Sequence, residues 1–336
     1  MNRLYIFLAI LLGLSVVAYF FLRDVSAETL TQIELTPRIA AGIALAAVFF
    51  VAQNFFYTLR YKLLMGKDLK WSQAFRTNVL CEFTSAVTPT VVGGSSLIFV
   101  YLHREGFSLS RSTTTMISSL FLDELFIGIT SALIVCVVPM QVLFGTTAVV
   151  SFGVKLSYLV MVSAIILWTA VLYTALFVKP QIISKVALLI VKIPGLRRFK
   201  TGAEHFSEEI KMASAETRHR GWRFWLRPFG STCGAWFCRY AVAAALLLGF
   251  TPLSDLPLAY ARQWILWIVT MISPTPGGSG MSEWMFKEFY SDFLPSTAAT
   301  MVVAMAWRII TYYTYLIGGA IVVPAWIGKK EEQKRK

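Results

Sequence analysis

Apolar residues run along this chain in long blocks, which polar clusters and prolines separate. Several of these blocks reach the roughly 20 residues that an α-helix needs to cross a bilayer. They predict six transmembrane helices, at residues 4–22, 39–64, 112–138, 154–178, 228–250 and 297–326. The first block resembles a signal peptide, but its apolar run is too long for one, so it predicts a membrane span.

Two further apolar blocks contain helix-breaking residues. Residues 77–102 include "TPTVVGGSS", and residues 256–292 include "SPTPGGSG". Because proline removes a backbone donor and glycine adopts conformations that other residues avoid, neither block predicts a straight helix. Non-helical backbone at membrane depth survives only where protein or a water-filled cavity satisfies its polar groups. Both blocks therefore predict re-entrant helical hairpins buried among the spans.

Positive charge beside the spans predicts their orientation. One basic cluster follows the second span and comprises Arg60, Lys62, Lys67, Lys70 and Arg76. Others lie at residues 179–227 and in the C-terminal "KKEEQKRK". Because Lys and Arg are enriched in cytoplasmic loops, both termini are predicted to be cytoplasmic. The early apolar face of residues 179–227 also predicts an interfacial segment on the inner headgroup surface.

Each half of the chain then has the order span, span, broken hairpin, span. Because three crossings reverse the orientation, the second half is upside down relative to the first. The sequence predicts an all-α polytopic membrane protein with six transmembrane helices plus two re-entrant helical hairpins in a 3+3 inverted-topology repeat. Its two repeats are residues 1–140 and 141–336. Many transporters share this architecture and bind substrate at broken segments near the midplane.

Composition supports a membrane environment. With 57% hydrophobic and 15% charged residues over 336 positions, the chain has too little polar surface for a soluble globule. The net charge of +13 lies beside apolar spans, which indicates anionic lipid headgroups and not nucleic acid as partners. The cysteines and histidines lack metal-ligand spacing. No metal, cofactor or catalytic residue is therefore predicted.

Charged residues inside the apolar blocks are the first candidates for a lipid pathway. A central charge costs at least about 2.5–3.5 kcal/mol, so it normally faces a cavity. Arg239 and Arg308 are predicted to attract a lipid phosphate, since a guanidinium can donate two parallel hydrogen bonds. The acidic candidates, which hold the arginines, bind a proton or contact a cationic headgroup, are Glu82, Asp123, Glu124 and Glu283. The alternative is that static ion pairs lock the helices together.

The two breaks supply the other candidates. Their free backbone N–H and C=O groups are predicted to face a polar headgroup. The residues concerned are Thr88, Pro89, Gly93, Gly94, Ser273, Pro274, Pro276, Gly277 and Gly278. The alternative interpretation is that the glycine pairs only allow helices to pack closely.

The stretches "EFTSAVTPTVVGGSSLIFVYLHREGFSLSRSTTTMISSLFLDELF" and "ISPTPGGSGMSEWMF" resemble the flippase-like family typified by the membrane region of lysylphosphatidylglycerol synthases. This resemblance implies movement of lipid between leaflets. Because only a short charged tail follows Trp326, we expect no aminoacyl-transferase domain and no synthesis of the lipid. Many family members carry an arginine before the aspartate of span three, and "LFLDELF" at residues 120–126 has none.

The predicted function is that of a lipid flippase or transporter in a bacterial or archaeal cytoplasmic membrane. Its substrate is an anionic or aminoacylated phospholipid or a polyprenyl-phosphate-linked lipid. The alternatives are an accessory subunit or transferase in lipid glycosylation and a small-solute secondary transporter. We expect no enzyme activity, because the sequence has no Gly-rich phosphate loop. The partners are membrane lipids, with a homo-oligomer left open.

Overall fold

The computed structural model shows a chain of α-helices joined by short turns. It describes residues 35–88, 94–144, 152–179, 185, 220–271, 273, 275 and 277–335. No β-strand occurs within these ranges, so the predicted all-α class is confirmed for them. The predicted first span, 4–22, lies outside the described residues, as does most of the predicted interfacial segment 179–227.

Helices make up nearly all of the described ranges. In chain order they are α1 (Pro37–Met65), α2 (Trp71–Val87), α3 (Ile98–Arg104), α4 (Leu109–Val137), α5 (Met140–Phe144), α6 (Phe152–Tyr173), α7 (Trp222–Leu247), α8 (Leu256–Thr270), α9 (Met281–Tyr290), α10 (Thr297–Arg308) and α11 (Thr314–Arg335). Two π-helical segments adjoin them, Thr174–Val178 after α6 and Ile309–Tyr313 between α10 and α11.

The sequence sets the limits of α1 through its end residues. The Thr36 side chain accepts a hydrogen bond from the Ile39 amide, and Pro37 lies in the first turn. At the other end Gly66 has a φ of +74°, which glycine adopts readily, and the helix stops there. The capping residues of α1 are therefore those typical of helices in soluble proteins.

Four helices in the described ranges are long and apolar enough to cross a membrane. They are Pro37–Asp68, Leu109–Val137, Tyr158–Val178 and Thr297–Val323. These helices correspond to the predicted second, third, fourth and sixth spans. The sequence pattern therefore identified the position and the apolar character of these helices correctly.

The predicted fifth span, residues 228–250, forms helix α7, but α7 is not among these four helices. Polar residues interrupt its sequence, and two of them, Ser231 and Thr232, are buried within the protein. Helix α7 therefore turns polar side chains toward other helices. Its passage across the membrane stays a prediction.

Helices α1 and α7 form the most extensive helix pair of the described ranges. A Cβ atom added to Gly42 would lie 2.6 Å from the carbonyl oxygen of Ala245. One added to Gly249 would lie 2.3 Å from a side-chain carbon of Ile39. Because glycine has no Cβ, these two positions allow α1 to approach α7 and the turn that follows it closely.

Aromatic residues fill the interior beside α7. The rings of Tyr240 and Trp264 are 4.5 Å apart, and those of Trp236 and Trp267 are 4.8 Å apart. The buried Trp264 donates a hydrogen bond from Nε1 to the Ser131 hydroxyl at 2.7 Å. Helix α8 is thereby fixed against both α7 and α4.

Both predicted hairpins consist of two helices with a break between them. In the first, α2 ends at Val87 and helical structure resumes at Ser95. In the second, α8 ends at Thr270 and α9 begins at Met281. The helices are thus interrupted where the proline and glycine residues predicted. The re-entrant course of the hairpins and the repeat boundary after residue 140 stay predictions.

Candidate functional site

Arg239 and Glu82 form an ion pair between α7 and α2. Both side chains are mostly buried, with 20% of the Arg239 side chain and 15% of the Glu82 side chain exposed. The Arg239 guanidinium carbon lies 5.4 Å from the centre of the Trp236 ring and 5.5 Å from that of Tyr57. The two aromatic rings therefore stabilise the cation in addition to the carboxylate.

Arg308 and Glu283 form a second and more deeply buried pair. Arg308 Nε donates to Glu283 Oε1 at 2.7 Å, and the two side chains are 5% and 4% exposed. The guanidinium also donates to the Gly277 carbonyl at 3.2 Å, and its carbon lies 4.2 Å from the centre of the Tyr312 ring. Glu283 in turn accepts from the Gly280 amide at 2.6 Å and caps α9. This pair therefore holds the second break against α10.

Arg60 and Asp123 form a third buried pair, between α1 and α4. Asp123 Oδ1 also accepts from Nε1 of Trp236 at 2.6 Å. The prediction that Arg60 belongs to a basic loop after the second span was wrong, because Arg60 lies within α1 and its side chain is 2% exposed. An arginine from another helix therefore pairs with the aspartate of "LFLDELF".

A cavity separates the first two pairs. It has about 700 Å³ of empty space, including the part open to its surroundings. Glu82, Arg239, Arg308 and the Gly277 backbone line it, together with the rings of several aromatic residues. The predicted candidates Arg239 and Arg308 therefore face one shared cavity.

A second cavity adjoins the first on the side of the third pair. It has about 650 Å³ of empty space, including open parts, and Arg60, Asp123 and Glu124 line it. Four residues occur in the walls of both cavities, and they are Glu82, Ser85, Arg239 and Trp267. The Glu82–Arg239 pair thus stands at the boundary between the two cavities.

Glu124 differs from the other acidic candidates. Its side chain is buried, and its Oε2 atom has no hydrogen-bond partner among the described residues. Asp123 and Glu124 are neighbouring acidic candidates, but their surroundings in the structure differ. Asp123 is held by Arg60 and Trp236, whereas Glu124 faces the second cavity without such partners.

The two breaks contact each other directly. The Gly277 amide donates to the Thr88 carbonyl oxygen at 3.4 Å. Gly277 has a φ of +56°, and a Cβ atom there would lie 2.1 Å from the Tyr312 ring. In the first break, a Cβ atom on Gly94 would lie 1.9 Å from the Cys81 carbonyl oxygen. Glycine is required at both positions because no side chain fits.

The remaining break residues play smaller parts. The Thr88 hydroxyl donates to the Thr84 carbonyl at 2.7 Å, and the Ser273 hydroxyl lies 2.8 Å from that of Thr275. Gly278 has a φ of +69°, with the nearest atom 3.5 Å from an added Cβ. Four predicted site residues lie outside the described residues: Pro89, Gly93, Pro274 and Pro276.

Some residues of the site escaped the sequence analysis. Arg60 was assigned to a loop, although Tyr57 precedes it at the helical spacing of three residues and Tyr61 follows it directly. Its guanidinium carbon lies 5.0 Å and 5.5 Å from the centres of these two rings. Trp236 was not considered, and nothing in its sequence context indicates an aspartate partner. Within the described ranges, no three His, Cys, Asp or Glu side chains come together as a metal site would require.

The amino-acid sequence is similar to a known family and to a membrane protein of an archaeon. The sequence model of a family described as the lysylphosphatidylglycerol synthase TM region matches residues 6–319. The chain is also 25% identical over 309 residues to a UPF0104 membrane protein of Archaeoglobus fulgidus. That alignment covers 87% of this chain and 90% of the archaeal protein, so the similarity extends over most of both chains.

Proposed function

Because the chain belongs to the family of the lysylphosphatidylglycerol synthase TM region, we propose that it moves a lipid with an anionic headgroup between the two leaflets of a membrane. The substrate class is a phospholipid, anionic or aminoacylated, or a polyprenyl-phosphate-linked lipid. Each of these lipids carries a phosphate that an arginine can bind through two parallel hydrogen bonds.

The observation that carries this proposal is the position of Arg239. Arg239 lines both cavities, and the one hydrogen bond of its guanidinium among the described residues goes to Glu82. A guanidinium has five N–H donors, so several remain for an incoming anion. A headgroup phosphate can therefore take the place of Glu82 on Arg239 as it passes from one cavity to the other.

The first cavity offers a phosphate two further contacts. Arg308 lines this cavity, and a phosphate that reached it would share its guanidinium with the Glu283 carboxylate. The Tyr240 hydroxyl is buried and has no hydrogen-bond partner among the described residues, while the residue lines the same cavity. A buried hydroxyl without a partner is costly, and a phosphate oxygen would satisfy it.

An inverted repeat with six spans and two re-entrant hairpins is part of the same proposal. Each hairpin packs against the last span of the other half. The first hairpin contacts the sixth span through the Tyr312 hydroxyl, which donates to the Ala86 carbonyl at 3.3 Å. The second contacts the third span through Trp264 and Ser131. An inverted repeat would produce such reciprocal contacts between the halves, and they support hairpins that meet from opposite sides.

The proposal is tested by lipid movement in vesicles that contain the purified full chain. Fluorescent phosphatidylglycerol is the probe, and the accessibility of its fluorophore to an added quencher reports its leaflet. We expect exchange to be faster than in protein-free vesicles. The Arg239→Gln variant should lose about ten- to hundredfold in rate, which corresponds to roughly 1.5–3 kcal/mol for a hydrogen bond to a charged group.

Arg111→Gln serves as the matched control. Arg111 pairs with Asp68 at the surface, away from both cavities, and its side chain is 39% exposed. This variant should exchange lipid at the rate of the unmodified protein. If well-folded unmodified protein moves the probe no faster than protein-free vesicles do, the proposal is wrong. If Arg239→Gln is fully active, the arginine is a structural residue and the assignment of the pathway fails.

A further inference from the structure

Glu124 lies one residue from Asp123 on α4, yet the two carboxylates have different surroundings. Asp123 accepts hydrogen bonds from Arg60 and Trp236. Glu124 is only 7% exposed and lines the second cavity. It has neither a hydrogen bond nor an ion pair among the described residues. It is a buried carboxyl group that faces a cavity and lacks a stabilising partner.

The charges around the second cavity do not compensate Glu124. Titratable and charged groups face this cavity from four helices, and they are Tyr57, Arg60 and Tyr61 on α1, Cys81 and Glu82 on α2, Asp123 on α4 and Arg239 on α7. Each arginine of this set is already paired, Arg60 with Asp123 and Arg239 with Glu82. The carboxylate of Glu124 would therefore be an excess negative charge in a buried site.

Helices α3 and α6 also pack against α4. Within the described residues, neither helix contributes a residue to the wall of the second cavity. No cation from these two helices thus faces Glu124 there. A proton is the simplest cation that removes the excess charge, because it binds to a carboxylate oxygen without needing further ligands.

We propose that Glu124 is a proton-binding site coupled to the binding of an anion at Arg239. The coupling rests on the function proposed above, whereas the proton site stands without it. When a phosphate replaces Glu82 on Arg239, the Glu82 carboxylate loses its partner and the second cavity gains negative charge. A proton on Glu124 offsets this gain. Anion and proton therefore bind more tightly together than apart, and the coupling is reciprocal.

Infrared difference spectroscopy of the full chain in vesicles tests the proton site. A protonated carboxyl has a C=O band that disappears when the proton leaves, so the band can be followed as the pH changes. We expect a titrating band that Glu124→Gln abolishes and that Asp68→Asn retains, since Asp68 is a surface residue with a 62% exposed side chain. If Glu124→Gln does not fold, Glu124→Asp should keep the carboxyl and shift the band.

Two outcomes would overturn the proton site: a titrating band unchanged by both substitutions of Glu124, or no such band in the unmodified protein.

The coupling is tested by comparing vesicles of phosphatidylglycerol with vesicles of phosphatidylcholine. The anionic lipid should move the midpoint of the band to higher pH, and Arg239→Gln should remove the part of the shift that is not due to surface charge. An equal shift in the unmodified protein and in Arg239→Gln would refute the coupling. A Glu124 band in a protein that moves no lipid would refute only the proposed function.

Discussion

Arg60 on α1 and Asp123 on α4 form an ion pair that is buried beside the second cavity. The pair joins two helices that are both long and apolar enough to cross a membrane. Trp236 on α7 donates to the same carboxylate at 2.6 Å, so three helices meet at one aspartate. This geometry makes the pair a structural element of the site as well as part of its wall.

Asp123→Asn should destabilise the protein, because it leaves the Arg60 guanidinium buried without a counter-charge. Breaking a buried pair by removing one partner costs about 3–5 kcal/mol. The expected result is a lower midpoint of thermal unfolding in detergent, measured by loss of the monodisperse peak on size-exclusion chromatography. Asp68→Asn, at a surface bridge with a 62% exposed acidic side chain, is the control and should change stability by about 0–1 kcal/mol. Equal effects of the two substitutions would contradict the structural role of Asp123.

Gly277→Ala should disturb the contact between the two breaks. The residue has a positive φ, and the new methyl group would lie 2.1 Å from the Tyr312 ring. The substitution should lower both thermal stability and lipid exchange, while Gly318→Ala, where the nearest atom is 3.9 Å from an added Cβ, should have little effect. Adding Tyr312→Ala to Gly277→Ala should restore part of the stability by removing the clash. No recovery in the double variant would show that backbone conformation alone requires glycine.

The helices were predictable where one property dominated the sequence. Long apolar runs gave four membrane-length helices, and proline with paired glycine gave the positions of the two breaks. Helix α7 was predicted as a span of the same kind, but its sequence mixes apolar residues with Ser231, Thr232 and Arg239. A central helix can carry such residues because other helices surround it, and hydropathy alone does not reveal which helix is central.

The partners of the charged residues were harder to predict. Glu82 and Arg239 are 157 residues apart, and Arg60 and Asp123 are 63 residues apart, so no local spacing relates them. The positive-inside pattern also assigned Arg60 to a cytoplasmic loop, since it lies close to Lys62 in the sequence. Only the packing of α1 against α4 shows that Arg60 is buried. Lys62, two residues later, instead donates a hydrogen bond to the carbonyl oxygen of Leu69.

Trp236→Phe should separate the role of the hydrogen bond from that of the ring. Phenylalanine keeps an aromatic side chain beside Arg239 but removes the Nε1 donor to Asp123. The loss of a hydrogen bond to a charged acceptor should cost about 1.5–3 kcal/mol. Thermal unfolding measures the difference, and Trp264→Phe, which loses a bond to the neutral Ser131 hydroxyl, should cost less. A larger loss for Trp264→Phe would contradict the charge-assisted bond at Asp123.

Glu82→Gln should strengthen the binding of an anionic lipid, because it removes the carboxylate that occupies Arg239. Glutamine keeps nearly the same shape and offers a neutral oxygen, so the guanidinium stays in place while its charge is no longer compensated. Under the proposed function, more fluorescent phosphatidylglycerol should remain bound after purification, by about tenfold for roughly 1.4 kcal/mol. Its exchange between leaflets should slow, since release from Arg239 depends on the return of the carboxylate. Glu105→Gln, which removes a carboxylate paired with Arg76 outside both cavities, is the matched control and should leave lipid binding unchanged. Weaker binding in Glu82→Gln would mean that the carboxylate positions the arginine for the lipid and does not compete with it.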